Sequence, residues 1–484
     1  MKKCEDGQVA SEKSRLSTGT NANLPSIRRI HSRFFHWAGD YRKLLVDARD
    51  LLFGSMGASA LRFLTVMMAA KAMGVQGFGV LSMIQALCDL FSRICSFQTW
   101  QAGIRYGTET MSQARNQEFK GLIQFLFRLD LVCGLSGALG ALCVFLFGAE
   151  FVMALGPGSF SESLHGHRFD AVAYTPVILF IVLSSTPVAI FRLFGRFRLY
   201  AAVQFIQGLI GLAVIGFATL LGSGFKGMLW AHILYEILAQ GVLIVLSLLI
   251  LRSEGYGDWY RRRYSGLIQG SAVRSFLWST FWSGNVKVVS KDLDVVLVGS
   301  LGSAAAAGLY RVAKIWGSLF ARIADPIHQV IYPRLCRYCV DRKLEDAWHL
   351  AGSFSGMMGM GGLFSVILFW LFGPWALEVF AGQDFIDAYG PTLLLMLGVS
   401  ISAAGLGFAS AMLALGRAGL NLRIQLVSAV VQLVLMGLFV SRWGAYGAGA
   451  AYLVGNCFWF LQMYWFLQRS LRERKNPGIG AASS

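Results

Sequence analysis

The chain has 484 residues, of which 55% are hydrophobic and 14% charged, against about 45–50% and about 25% in soluble globular proteins. That balance excludes a soluble enzyme, and apolar blocks of about 20 residues, the length that crosses a hydrocarbon core about 30 Å thick, point to an all-α polytopic membrane protein. The net charge of +17 sits mainly between the apolar blocks, where basic residues set membrane topology, so no nucleic-acid partner is expected.

Residues 1–25 are polar and rich in Ser, Asn and Gly, too poor in apolar surface to order themselves, and read as a disordered tail. From Ile27 to Arg49 the chain is basic and aromatic (Arg28, Arg29, Arg33, Phe34, Phe35, Trp37, Tyr41, Arg42, Lys43). This suits a helix lying on an anionic membrane surface and equally a cytoplasmic flank ahead of the first span. No apolar stretch with a small-residue cleavage site precedes Leu51, so no removable signal peptide is read.

Twelve spans come next, at about 51–73, 79–103, 121–148, 173–195, 199–222, 226–251, 275–300, 308–333, 348–373, 389–415, 419–441 and 446–468. They organise the chain into a cytoplasmic segment (1–50), an N-terminal six-helix lobe (51–252), a basic inter-lobe linker (253–274), a C-terminal six-helix lobe (275–468) and a tail (469–484). Alternate connections are strongly basic: Arg105 to Lys120, Arg192 to Arg198, Arg252 to Arg274, Arg334 to Lys343, Arg417 to Arg423, and the tail. By the positive-inside rule these face the cytoplasm, with both termini. The opposite connections are mostly short, the longest running from Ala149 to about Val172, which leaves no room for a soluble domain. No G-x-x-x-x-G-K-[ST] loop is present to cradle phosphates, so the energy source is an ion gradient or a partner.

The two halves echo each other. Phe194-Gly195-Arg196 is followed by Gln204, and Leu415-Gly416-Arg417 by Gln425 at the same offset. Gly224-x-x-Gly227 matches Gly444-x-x-Gly447, and Gly74…Gly79-Val80 resembles Gly302…Gly308-Leu309 with one extra residue. Two six-helix lobes in the same orientation would be parallel repeats with a site between them. Glycines are dense in span 3 (Gly134, Gly137, Gly140) and span 9 (Gly352, Gly356, Gly359, Gly361, Gly362), which permits close helix approach. Pro176, Pro187, Pro326, Pro333 and Pro391 lie in or beside spans, where each can mark a fixed kink or a moving one.

The eight cysteines are scattered and imply no disulfide framework. Cys336 and Cys339 form a lone C-x-x-C without the second ligand pair of a structural zinc, so no metal or cofactor is expected.

The informative residues are charges inside spans, each costing about 2.5–3.5 kcal/mol at a helix centre unless it faces water or a partner. In span 7, Thr280, Gly284, Lys287, Lys291 and Asp294 form one stripe; in span 8, Arg311, Lys314, Ser318, Arg322, Asp325 and Gln329 form another, by their steps of three and four. Ser55, Arg62 and Ala69 align on span 1, Gln85, Asp89 and Arg93 on span 2, and His232, Glu236 and Gln240 on span 6. Asp89 and Arg93 can equally be a self-neutralising pair, and Lys287 or Lys291 can pair with Asp325. Lys71 and Arg128 lie near span ends and read as snorkelling. An excess of cations in a membrane cavity calls for an anionic guest such as a phosphate or diphosphate. Asp89, Glu236, Asp294 and Asp325 are candidates for proton or ion coupling, burial favouring the neutral acid and neighbouring cations the carboxylate.

The stretch Ala70-Lys-Ala-Met-Gly-Val-Gln-Gly-Phe-Gly-Val-Leu-Ser82 resembles the first inter-helix loop of the Wzx-type polysaccharide flippases. Lys291-Asp-Leu-Asp-Val-Val-Leu-Val-Gly299, Gly308-Leu-Tyr-Arg-Val-Ala313 and Ala324-Asp-Pro-Ile-His-Gln-Val-Ile-Tyr-Pro333 resemble their helices 7 and 8. The likeness covers about residues 45–470 and departs from the family in the extra residue between Gly302 and Gly308 and in the long basic N-terminal segment. It implies two six-helix lobes forming a V around a central cavity, the fold of the multidrug, oligosaccharidyl-lipid and polysaccharide exporters. It implies as cargo an oligosaccharide on undecaprenyl diphosphate, flipped across a bacterial cytoplasmic membrane for O-antigen, capsule or exopolysaccharide. Arg62, Arg93, Lys287, Lys291, Arg311, Lys314 and Arg322 are the expected cationic cavity, with Asp294 at the family's acidic position late in helix 7. The expected partners are this lipid-linked oligosaccharide, membrane lipids, and as candidates the polymerase and chain-length machinery, for a chain able to act as a monomer.

Three other readings compete, one of them a scaffold without transport, which predicts that the intramembrane charges can be neutralised without loss of export. An ion-coupled exporter of small organic cations on the same fold is disfavoured by a cation-rich cavity. A membrane glycan polymerase or ligase needs catalytic groups at the outer face; His165, His167, Arg168 and Asp170 are the cluster there, and an ordinary solvated loop accounts for them.

Overall fold

The computed structural model describes residues 25–154, 166–261, 277–278, 281–282, 293–340, 343–415 and 417–475. The chain divides into two units, residues 1–53 and 54–484. The tail, the side chains of the basic aromatic segment, most of the basic linker, and Lys287, Lys291 and His165 lie outside the described residues, as does the side chain of Asp325.

Among the described residues all regular structure is helical, because a backbone in lipid must satisfy its own polar groups. The first half comprises α1 (Pro25–Cys95), α2 (Thr99–Ser112), α3 (Asn116–Ala154), α4 (Arg168–Tyr174), α5 (Pro176–Leu183), α6 (Ser185–Leu193), α7 (Phe197–Leu220) and α8 (Gly224–Ser253). The second comprises α9 (293–301), α10 (Ala304–Val340), α11 (Leu344–Phe380), α12 (Tyr389–Ala414) and α13 (Ala418–Lys475). Among the described residues of the second unit, eight stretches are long and apolar enough to cross a membrane. Two of these, Met56–Ser112 and Gly419–Arg469, far exceed the roughly 20 residues of one crossing.

Both long stretches turn at a glycine with positive φ, Gly74 (φ 67°) in α1 and Gly444 (φ 52°) in α13, a backbone that a Cβ would penalise. Gly224 (φ 62°) shares the positive φ of Gly444, its counterpart in sequence. The turn between α9 and α10 is built differently. Ser303 Oγ accepts the Ala306 N–H at 3.1 Å and caps α10, so the second turn spends an extra residue where the first uses a left-handed glycine.

Two expected spans are interrupted. The second stops at Cys95, where Ser96 Oγ accepts the Gln98 N–H at 3.3 Å and Gln98 takes φ 49°. Helix then resumes as α2 and takes in Arg105, the first residue of the connection expected as a loop, while Arg115 lies between α2 and α3 and Lys120 within α3. The fourth is three short helices, broken at Thr175 and Ser184, whose hydroxyls donate to Val172 O (2.9 Å) and Ile181 O (2.7 Å). Pro176 and Pro187 withdraw backbone donors beside these breaks.

One carboxylate ties two of the breaks together. Asp130 on α3 is 1% exposed. It accepts Thr99 Oγ1–H at 2.7 Å, and from Thr186 both the backbone N–H at 3.1 Å and Oγ1–H at 2.5 Å. Thr99 opens α2 and Thr186 lies in the first turn of α6, so a buried carboxyl group sits at two helix N-termini, where the helix dipoles favour its charged form. Asp130→Ala would orphan buried donors at about 1–3 kcal/mol each. Its melting temperature in detergent should fall clearly, and Asp130→Asn, which keeps one acceptor oxygen, should fall less. Melting at the wild-type temperature for Asp130→Ala would overturn this clamp.

The first residues of the expected linker are docked on the N-terminal half. Arg196 pairs with Glu254 at 2.8 Å and Lys120 with Asp258 at 2.5 Å. The Tyr256 ring meets Phe119 edge-on at 4.6 Å and Trp259 stacks on Phe127 at 4.9 Å.

The two halves pack together around the α1 turn. Leu81, Met83 and Ile84 share a buried cluster with Ala304 and Ala307, and Met67, Ala70 and Phe78 share another with Val312, Phe385 and Ala388. Phe63 packs edge-on against Trp316 at 4.8 Å, and Phe78 against Phe385 at 5.9 Å. Lys71 Nζ donates to Val379 O at 3.5 Å, a contact across the halves for a residue expected to snorkel.

Candidate functional site

Charges on apolar helices are retained only where they meet water or a partner, and the structure collects them into two groups. In the first, Arg62 is exposed on α1 and donates from Nη2 to Gln207 Oε1 at 3.4 Å. Gln207, itself buried, donates to Ala239 O at 2.8 Å, which fixes the acceptor that Arg62 meets. Arg62 also lies within electrostatic reach of Tyr235 and Glu236 on α8. Glu236 in turn interacts with Asp89 and hydrogen-bonds Gln240, and the buried Tyr174 interacts with both carboxylates and hydrogen-bonds Gln85. The stripes of spans 1, 2 and 6 therefore converge on one polar neighbourhood. His232 stands apart, buried and donating from Nδ1 to Met228 O of its own helix at 2.9 Å.

Arg62 is also coupled electrostatically to the other half. Arg322, exposed on α10, is within electrostatic range of it. Two guanidiniums from opposite halves thus share one region, an arrangement that repels until an anion lies between them. Each presents a planar fork of donors suited to phosphate oxygens.

The second group is built on Asp294, which is 4% exposed on α9. Its carboxylate accepts from Lys314 Nζ at 2.7 Å, from Tyr310 Oη–H at 3.0 Å and from the Val295 N–H at 2.7 Å. Tyr310 is fully buried, and Tyr452 of α13 lies in electrostatic reach of the same carboxylate. Lys314 has a side chain 31% exposed, so it spans from the buried acid to accessible space. Sequence reasoning placed Lys314 and Asp294 in different roles; the structure makes them partners.

Arg311 is half-buried on α10 beside Tyr310, and Arg93 is exposed in the last turn of α1. Lys287, Lys291 and the Asp325 side chain lie outside the described residues. Sequence reasoning missed Asp130, Tyr310 and Tyr174. Asp130 carried the signal already applied to Asp89, an ionisable residue inside an apolar run. The two tyrosines carried none, since an aromatic in a membrane helix is ordinarily core. Among the described residues no group of three His, Cys, Asp or Glu side chains could hold a metal ion.

Known proteins bear on this arrangement. The "Inner membrane protein YghQ" of Escherichia coli (strain K12) is 25% identical over 73% of this chain and 97% of its own length. The inward-facing form of a multidrug resistance MATE family transporter of the MOP superfamily superposes with TM-score 0.73 at 14% identity, covering 86% of this chain and 96% of that one. The "Lipid II flippase MurJ" in an inward closed conformation superposes with TM-score 0.65 at 14% identity, covering 87% and 89%. Residues 51–339 match the family model described as "Polysaccharide biosynthesis protein". With more than half its length matched, and with the helical fold of the MOP transporters, this chain is a multi-pass membrane protein of the polysaccharide biosynthesis protein family.

Proposed function

We propose that the protein is a flippase that moves an oligosaccharide on undecaprenyl diphosphate from the cytoplasmic to the outer leaflet of a bacterial inner membrane, for assembly of a surface polysaccharide. The observation that carries this reading is the pair of guanidiniums, Arg62 and Arg322, contributed by the two halves to one region. A diphosphate offers each fork its acceptors, while the polyprenyl tail remains in lipid. Arg311 and Lys314, on the same helix as Arg322, extend the cationic surface, with Arg93, Lys287 and Lys291 as further candidates. The basic connections face the cytoplasm, as does each terminus. The two lobes rock about the site to expose the sugar outside. No covalent chemistry is assigned to the chain.

A potential negative inside favours outward movement of an anion by about 2.3 kcal/mol per charge per 100 mV. Asp89 and Glu236, interacting with each other, are the proposed site for a returning proton or cation, with Asp294 and Asp325 as further candidates. A cationic drug as cargo is disfavoured, because Arg62 and Arg322 would repel it.

The test uses purified protein in proteoliposomes with a fluorescent undecaprenyl-diphosphate oligosaccharide, scoring headgroup that becomes accessible on the opposite leaflet. Protein-dependent movement is expected, accelerated by an imposed gradient, and Glu236→Gln should lose that acceleration while still binding the lipid. Binding without movement under a verified gradient would overturn the flippase reading.

A further inference from the structure

The glycine motif of the α1 turn and its echo in the second half meet in space. Gly79 lies in α1 shortly after the Gly74 turn, and Gly308 lies near the start of α10. Both are buried, and they face each other backbone to backbone. A Cβ on Gly79 would overlap the Ala304 carbonyl and stand 3.2 Å from Gly308 N. A Cβ on Gly308 would overlap the Val75 carbonyl and stand 3.1 Å from Gly79 N and 3.2 Å from its Cα. The atoms struck are backbone, which cannot swing aside as a side chain does.

We propose that Gly79 and Gly308 are equivalent residues of two repeats and form the closing contact of the transport cycle at this end of the bundle, a contact that must part for the site to open there. The inference rests on the alternating-access reading above and adds to it the residues at which the halves separate. Several features support it. The two residues occupy matching positions of the Gly74 and Gly302 motifs, so a two-fold relation between repeats brings like to like on its axis. Large side chains pack around them, Phe78 on Phe385 and Met83 against Gly299, so the seam has no slack. Neither glycine has a positive φ, so nothing in its own backbone requires glycine. Alanine in a helix is locally favoured over glycine, and any opposing effect must come from the facing half. By the basic-loop topology this end is the outer one, so the contact closes the exit.

The experiment labels Lys71→Cys and Val379→Cys, exposed residues of the two halves at this end whose wild-type partners touch at 3.5 Å, in a cysteine-free background with spin labels. Gly79→Ala and Gly308→Ala should each move most of the distance distribution to longer values. Gly352→Ala and Gly356→Ala, where a Cβ meets nothing within 4 Å, should leave it unmoved. Folded Gly79→Ala and Gly308→Ala proteins with the parent distribution would overturn the proposal. A second arm needs neither alanine variant: a reversible cross-link between the two cysteines should stop headgroup movement until it is cleaved, and undiminished movement while cross-linked would also overturn it. The distance readout requires no cargo, so failure of the flippase reading leaves the contact testable, and movement with unshifted distances refutes the contact alone.

Discussion

Arg62→Ala and Arg322→Ala should each slow headgroup movement in proteoliposomes by about tenfold or more without loss of folded protein. Hydrogen bonds to charged groups contribute about 1.5–3 kcal/mol, and each 1.4 kcal/mol is about tenfold in affinity. The stability arm is the discriminating one. Because Arg322 is disfavoured by the nearby Arg62 charge, Arg322→Ala should leave the melting temperature in detergent unchanged or raise it, whereas Arg62→Ala also gives up the Gln207 bond and should lower it modestly; in both, the stabilisation conferred by added lipid-linked diphosphate should shrink. A structural role for these residues predicts a lower melting temperature with the ligand effect retained, and that outcome would remove them from the site. Arg→Lys keeps charge but loses the fork, so it should restore only part of the rate.

The second large effect concerns the Asp294 group. Lys314→Ala leaves a buried carboxylate with Tyr310 and the Val295 N–H as its described donors, and breaking a buried pair from one side costs about 3–5 kcal/mol. The double variant Asp294→Asn/Lys314→Met should recover most of that loss in thermal stability, since it leaves no uncompensated charge. A double-mutant cycle on melting free energy should therefore show strong coupling, and additive effects would mean that the 2.7 Å contact carries no energy. If Lys314 also serves the cargo, the double variant will be stable yet slow in headgroup movement, separating its two roles.

Much of the architecture is legible in the sequence. The helical class comes from apolar blocks that leave no other way to satisfy a backbone in lipid. The turn at Gly74 and that at Gly444 were expected at glycine motifs and occur there with positive φ. The stripes also held in part: Arg62, Asp89 and Glu236, each picked out by helical spacing, do converge. The break in the second span was not legible, and in the fourth the prolines marked a kink without giving the places, Thr175 and Ser184, where the helix stops. At Ser96 a side chain takes a nearby backbone N–H, whereas the hydroxyl bonds of Thr175 and Ser184 are of a kind that unbroken helices also carry at Ser247 and Ser318; Asp130, remote in sequence, meets donors freed at both breaks.

The chain by itself determined that this is a polytopic helical membrane protein and which charged residues must face something other than lipid. Each of these depends on composition or on a period along one helix, which are local quantities. Tertiary structure alone decided that Lys314 answers Asp294, that Arg62 and Arg322 come within electrostatic range of each other, and that Gly79 meets Gly308. A helical period tells which residues share a face, but rotation and depth of that face against its neighbours are set by packing between helices distant in sequence. Partners in a charge network therefore become known only when the helices are assembled.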